Sequence, residues 1–165
     1  MRIIKVKLTM QDNSEFVADI FNDRNQPNGN KLRIYRLFKE SVKTELYIHN
    51  NIPRSVRRTM TLFRSGTLPL AIETGRYSRP QIPLNERLCK LCYNTAAENE
   101  IHFLMNCSLY SDIRFELFQS AKCLIDRFET LTNIEKFTSI MKCGEMQSLL
   151  AHTLHKCFLR RRKFL

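Results

Sequence analysis

Three cysteines and a histidine fall within nineteen residues of this chain: Cys89, Cys92, His102 and Cys107, spaced C-x2-C-x9-H-x4-C. Thiolate sulfur and imidazole nitrogen are donors that Zn²⁺ takes in a tetrahedron, and four of them leave no open position. The chemistry expected is structural, a zinc that shapes a surface rather than one that activates water. Arg87-Leu88-Cys89-Lys90-Leu91-Cys92 supplies a short knuckle that turns two sulfurs toward one ion. Thr95-Ala-Ala-Glu98 reads as a capping box, so a helix is expected to begin there and carry His102 to the metal. Cys107 would lie at that helix's end or just past it. The competing readings are four packed side chains with no metal, or disulfides. Spacing, ligand types and cap together favour the metal. Arg2-Ile-Ile-Lys5-Val-Lys7 lacks the continuous apolar core of a signal peptide, so the thiols are expected to stay reduced in an intracellular setting, nuclear or cytoplasmic.

Other chemistry-bearing residues are weaker candidates. Zinc deaminases place His-x-Glu before Cys-x-x-Cys and leave the fourth position to water. Here Glu100-Ile-His102 is reversed and follows the cysteines, and Cys107 fills the fourth place. Cys143, His152, His155 and Cys157 do not share one helix face, and Cys123 reads as a core residue. No pair of carboxylates is spaced for two-metal chemistry. The expectation is a protein without enzymatic activity or a small-molecule substrate.

The elements that must carry these residues lie in 165 residues with 43% hydrophobic content, enough for one modest core. No apolar run approaches the roughly 20 residues needed to span a bilayer. The net charge of +11 is unevenly spread. Residues 1–30 balance; residues 31–88 carry twelve basic against four acidic side chains; residues 89–129 carry four against six; residues 130–165 carry seven against two. Such an excess on both sides of the knuckle points to a polyanionic partner, most simply nucleic acid.

Apolar spacing suggests a strand over residues 2–10 and helices over 13–22, from Lys31 through Leu46 (Tyr35, Phe38, Val42), from Pro53 (Val56, Met60, Phe63), and over 68–74 ending at Gly75. Arg54, Arg57, Arg58 and Arg64 would form the outer face of the helix after Pro53. Residues 76–87, with Pro80 and Pro83, read as an extended connector. Beyond the knuckle, a helix is expected from Ser108 or Ser111 to about Phe128, with Leu117, Ala121, Leu124 and Phe128 inward, then helices over 133–141 and 145–162. The chain divides into a basic helical region (1–84), a zinc-binding module with its following helix (85–129) and C-terminal helices (130–165). The fold class expected is all-α, a small helical domain with one structural zinc knuckle.

Three strings together resemble a known family: Leu70-Ala-Ile-Glu-Thr-Gly-Arg-Tyr77, Ile82-Pro-Leu-Asn-Glu-Arg-Leu-Cys-Lys-Leu-Cys92 and Glu98-Asn-Glu-Ile-His-Phe-Leu-Met-Asn-Cys-Ser-Leu-Tyr110. They resemble the zinc-binding tail that follows the polymerase in non-LTR (LINE-like) retrotransposon reverse transcriptases. Lys31-Leu-Arg-Ile-Tyr-Arg-Leu-Phe-Lys39 is similar to the segment that precedes this tail. The resemblance is tightest over residues 68–115. It implies the same four ligands, a helical surround, a helix rather than a strand over 1–10, and the element's RNA or target DNA as partner. The resemblance covers the tail and not the polymerase's catalytic centre: Asp19, in Phe16-Val-Ala-Asp-Ile20, is not followed by the second aspartate that two-metal catalysis needs. The expected function is a nucleic-acid-binding domain, the stand-alone tail or remnant of such an enzyme. Arg54, Arg57, Arg58, Arg64, Arg76, Arg79 and Lys90 would contact phosphates, and Tyr77 and Tyr93 would stack on bases. The competing class is a zinc-stabilised interaction module that docks on a polymerase. Arg160-Arg-Arg-Lys163 reads either as a phosphate-contacting or nuclear-entry tail or as a solvated helix end.

Overall fold

A computed structural model describes residues 14, 15, 18, 32–41, 43–92 and 95–165. It is mostly helical, with no strand among the described residues. The expected strand over 2–10 lies outside them, as do Val42 and Tyr93. Ser14, Glu15 and Ala18 are helical, as expected for 13–22.

The segment from Lys31 differs from expectation. Instead of one helix, it forms a 3-10 turn at Tyr35–Leu37, and α1 (Leu46–His49) follows separately. Leu46, placed on the inner face by periodicity, is exposed. Between the two lies Glu45, whose carboxylate accepts from Tyr35 Oη and pairs with Lys39 and Arg64. Those bonds hold the chain in an extended bend that a continuous helix would not allow.

Helix α2 (Arg54–Arg64) forms as expected, with Pro53 as its N-cap residue and Val56, Met60 and Phe63 buried. It stops where glycine permits. Gly66 adopts φ 67°, its N–H donates to Phe63 O, and Thr67 N–H reaches back to Leu62 O. This paired closure satisfies carbonyls that the last turn would leave unbonded. Helix α3 (Ala71–Thr74) ends at Gly75, as expected. A side chain there would meet Arg87, whose Cδ and Cγ lie 2.8 Å from where a Cβ would stand. The buried Arg87 guanidinium donates to Ile72 O and Ile82 O, 3.0 Å each, so it folds the connector back on α3 rather than facing a ligand.

After the knuckle come α4 (Ser111–Leu124), α5 (Asn133–Lys142) and α6 (Gln147–Phe164). Helix α4 ends four residues short of Phe128, which is buried in a separate 3-10 turn; Leu124 is exposed. Cys123 is exposed too, a correction to its reading as core. Helix α5 begins on a complete capping box, Thr132 with Glu135. The long α6 is the spine of the fold and packs against α2, α4 and α1. Thr59 Oγ1 meets His155 Nδ1 at 2.9 Å and Arg64 Nη1 donates to Gln147 Oε1 at 3.4 Å, so α2 and α6 run antiparallel. The aromatic centre of the core is Phe63, with Phe103 and Phe137 each 6.1 Å away between ring centroids, and Tyr110 4.8 Å from Phe103. Of these four rings, Phe103 lies in the segment that carries the candidate ligands and Tyr110 three residues past it. No helix among the described residues is long and apolar enough to cross a membrane.

Candidate metal centre

The knuckle is closed by its backbone before any side chain acts. Leu88 and Ala97 form an isolated antiparallel bridge. Cys89 N–H donates to Ala96 O and Glu98 N–H to Arg87 O, both at 2.9 Å. The Leu91 N–H is directed at Cys89 sulfur and the Leu109 N–H at Cys107 sulfur. Such donors favour a thiolate over a thiol.

The helix that brings His102 does not start at the expected cap. Thr95 is exposed and Glu98 is turned inward, where its carboxylate is held by Arg161 and by the Ala71 N–H. Asn99 caps instead, its Oδ1 accepting from His102 N–H at 2.8 Å. The first turn passes into a π turn over His102–Asn106, and Cys107 follows it in extended conformation. His102, Phe103, Leu104 and Met105 are all buried. Four consecutive buried residues are unusual for a helix with one core face. Here the turn is enclosed on two sides, with His102 toward the cysteines and Phe103 toward the core.

Cys89, Cys92, His102 and Cys107 converge: their ligand atoms all lie within 4.8 Å of one another. Cys89 Sγ is 3.9 Å from Cys107 Sγ, and Cys92 Sγ is 3.4 Å from His102 Nε2. No disulfide joins the three cysteines, and of the four residues all but Cys92 are buried. Burial pushes the Cys107 thiol up to about 12 and raises Cys89 as well. The same desolvation lowers His102 and keeps its imidazole neutral, the form that binds metal. Three sulfurs this close ionise together only around a cation. The group can hold one metal ion.

Glu100 stays out of this chemistry. It is fully buried and paired with Arg33. Burial raises its pKa against the opposing pull of Arg33. No second metal-binding group exists among the described residues. His152 Nδ1 lies 2.9 Å from Ser148 O, His155 meets Thr59, and Cys157 is core.

The expected phosphate-contacting residues separate into two sets. Arg54, Arg58, Arg79 and Lys90 are exposed, and Tyr77 is 64% exposed. Arg57 is half-buried, its guanidinium donating to Asn50 O and Ile52 O across the end of α1. Arg64 is a correction. It is buried between Phe38, 4.3 Å from guanidinium to ring centroid, and Tyr47, and is bonded to Glu45, Met141 O and Gln147. It follows Met60 and Phe63 inward because the buried face of α2 is wider than an apolar-only count suggests. Arg76 is the second correction: its side chain is 9% exposed and pairs with Glu73.

The sequence reading missed the Glu98–Arg161 pair. Arg161 Nε and Nη2 donate to the two carboxylate oxygens at 2.8 Å each, a bidentate clamp between the knuckle and α6. A run of four cations at a helix end offers no local sign that one of them points inward. No family model, no curated protein and no solved structure matches this chain.

Proposed function

We propose that this chain is a nucleic-acid-binding domain shaped by one structural zinc ion, of the kind that forms the tail of non-LTR retrotransposon reverse transcriptases. The observation that carries the zinc reading is the ligand spacing. Zn–S bonds of about 2.3 Å and Zn–N of about 2.0 Å at tetrahedral angles require S···S near 3.8 Å and S···N near 3.5 Å. Two of the six edges, at 3.9 and 3.4 Å, fit those values, and all six lie within 4.8 Å. Four protein donors fill a tetrahedron and leave no position for substrate or water, which supports a structural rather than a catalytic ion. His102 binds through Nε2, and the sulfur-directed N–H groups of Leu91 and Leu109 orient Cys89 and Cys107. The ion joins the knuckle to the π turn and so ties the connector to the core.

The nucleic-acid reading is supported by Arg54, Arg58, Arg79 and Lys90, exposed cations in a chain of net charge +11. The three sequence strings given above support the retroelement origin. Contacts of this kind follow the phosphate backbone and give little sequence preference.

Two measurements test the proposal. Elemental analysis of the purified chain should give one zinc per molecule; protein folded without metal would refute it. Titration of mixed RNA and DNA fragments over a salt series should show log K falling linearly with log salt. Changing Arg54, Arg58 and Arg79 to Ala should flatten that slope by about two to three, since each phosphate contact releases close to one counterion. Protein that ignores both nucleic acids at low salt would favour docking on a polymerase instead.

A further inference from the structure

Five cations crowd the last turns of α6, and two of them have structural partners. Arg161 is committed to Glu98. Arg160 donates to Leu109 O at 3.0 Å and to both carboxylate oxygens of Asp112 on α4. Lys156, Arg162 and Lys163 are exposed and have no ion-pair partner among the described residues. They rim an open groove of about 610 Å³ between α6 and the start of α4. Its floor is apolar: Ile113, Leu159 and Phe164, with Leu159 43% and Phe164 63% exposed. Apolar side chains left in water beside exposed cations suit a ligand that is itself flat and apolar on one side and anionic on the other.

We infer that this groove is a binding site for single-stranded nucleic acid, with Phe164 as a stacking platform for an unpaired base and Lys156, Arg162 and Lys163 as its phosphate contacts. A base in a duplex has both faces covered by its neighbours, whereas an unpaired base offers one to an aromatic ring. The tertiary fold also unites this site with the charge on α2. Because α2 and α6 are antiparallel, with Thr59 beside His155, the N-terminal end of α2 carrying Arg54 and Arg58 lies at the same end of the pair as residues 156–163. Two basic segments about 100 positions apart in sequence are thus brought to the same end of the helix pair. The inference rests on the nucleic-acid reading above and locates it chiefly on α6.

The test uses the full chain in its zinc-loaded form, an unstructured single-stranded RNA 20-mer and the duplex of the same sequence, titrated by fluorescence anisotropy over a salt series. The wild type should prefer the single strand. Changing Lys156, Arg162 and Lys163 to Ala should lower the salt slope by about two, at roughly 0.7 per single-strand phosphate contact. Phe164→Ala should weaken single-strand binding about tenfold at unchanged slope, because stacking releases no counterions. These side chains are on the surface, so circular dichroism should report a wild-type fold. Should the triple variant unfold, Arg162→Gln and Lys163→Gln singly should each remove about 0.7 of slope. If these variants bind as wild type does while loss of Arg54, Arg58 and Arg79 flattens the slope, this site is refuted and the broader reading stands. If the wild type binds neither strand form, both fall.

Discussion

Arg64 shows how far one side chain can depart from its neighbours on the same helix. Arg54 and Arg58, ten and six positions earlier, end in solvent, whereas Arg64 is held by two rings, a carboxylate and a carbonyl. Arg64→Ala should cost about 3 kcal/mol in a urea unfolding curve, because it removes packing and leaves Glu45 short of its partner. Arg58→Ala should change stability by less than about 0.5 kcal/mol. Equal effects from the two substitutions would mean that Arg64 is not buried as described. Glu45 adds a pH signature. Burial opposes its ionisation, but Lys39, Arg64 and the Tyr35 hydroxyl together hold its carboxyl below the usual range. A carboxylate with a lowered folded pKa contributes stability that is complete above its unfolded pKa and drains away as pH falls through the folded value. Glu45→Gln should therefore be less stable than wild type by about 2 kcal/mol at pH 7, with the two curves converging as pH falls through the lowered folded pKa of Glu45. A gap that persists in acid would show that the charge is not the source.

At the scale of elements, the bidentate Glu98–Arg161 clamp joins the knuckle to α6, and Glu98 also receives the Ala71 N–H at the start of α3. Three elements meet on one buried carboxylate. Removing a partner from such a pair leaves a charge in a poorly solvated place, and the usual cost is about 3–5 kcal/mol. Glu98→Gln should lower the melting temperature and speed the loss of metal to a chelator, since the bridge behind Cys89 runs through Glu98 N–H. Wild-type metal release from a destabilised Glu98→Gln protein would disconnect clamp from knuckle. The contrast between two Thr-x-x-Glu segments is instructive. At Thr132–Glu135 the capping box forms in solvent. At Thr95–Glu98 the glutamate is drawn into the clamp and Asn99 supplies the cap. A buried charged pair outweighs an exposed cap worth about 1 kcal/mol.

In the whole molecule, ligands and core are not separable modules. His102 and Phe103 are adjacent, and Phe103 lies between Phe63 of α2 and Tyr110. On the zinc reading proposed above, releasing the metal would remove the cation that keeps three thiolates together, and the π turn beside them carries three core side chains. Cys107→Ser, or chelation of the wild type, should therefore lower the stability of the entire domain in one cooperative transition. Hydrogen exchange should lose protection in α2 and α6 as well as in residues 87–107. Protection lost only around the knuckle, with α2 and α6 melting as before, would sink this coupling.

What the sequence alone determined is local. The four ligands lie within nineteen residues, so backbone stiffness limits where they can go, and type and spacing sufficed to find them. Helices α2, α4, α5 and α6 were legible for the same reason: apolar residues at three- and four-residue steps encode a face without reference to any other element. What only the tertiary structure decided is which charges face water. Arg64 takes partners 19, 77 and 83 positions away, and Arg161 takes one 63 positions away. Nothing within a helical turn of either residue distinguishes it from Arg58 or Arg162. The antiparallel contact that brings the start of α2 and the end of α6 to the same end of the helix pair is likewise a property of packing. Burial of an ion is settled by whether a counter-ion arrives from elsewhere in the fold, and a linear pattern of residues does not carry that information.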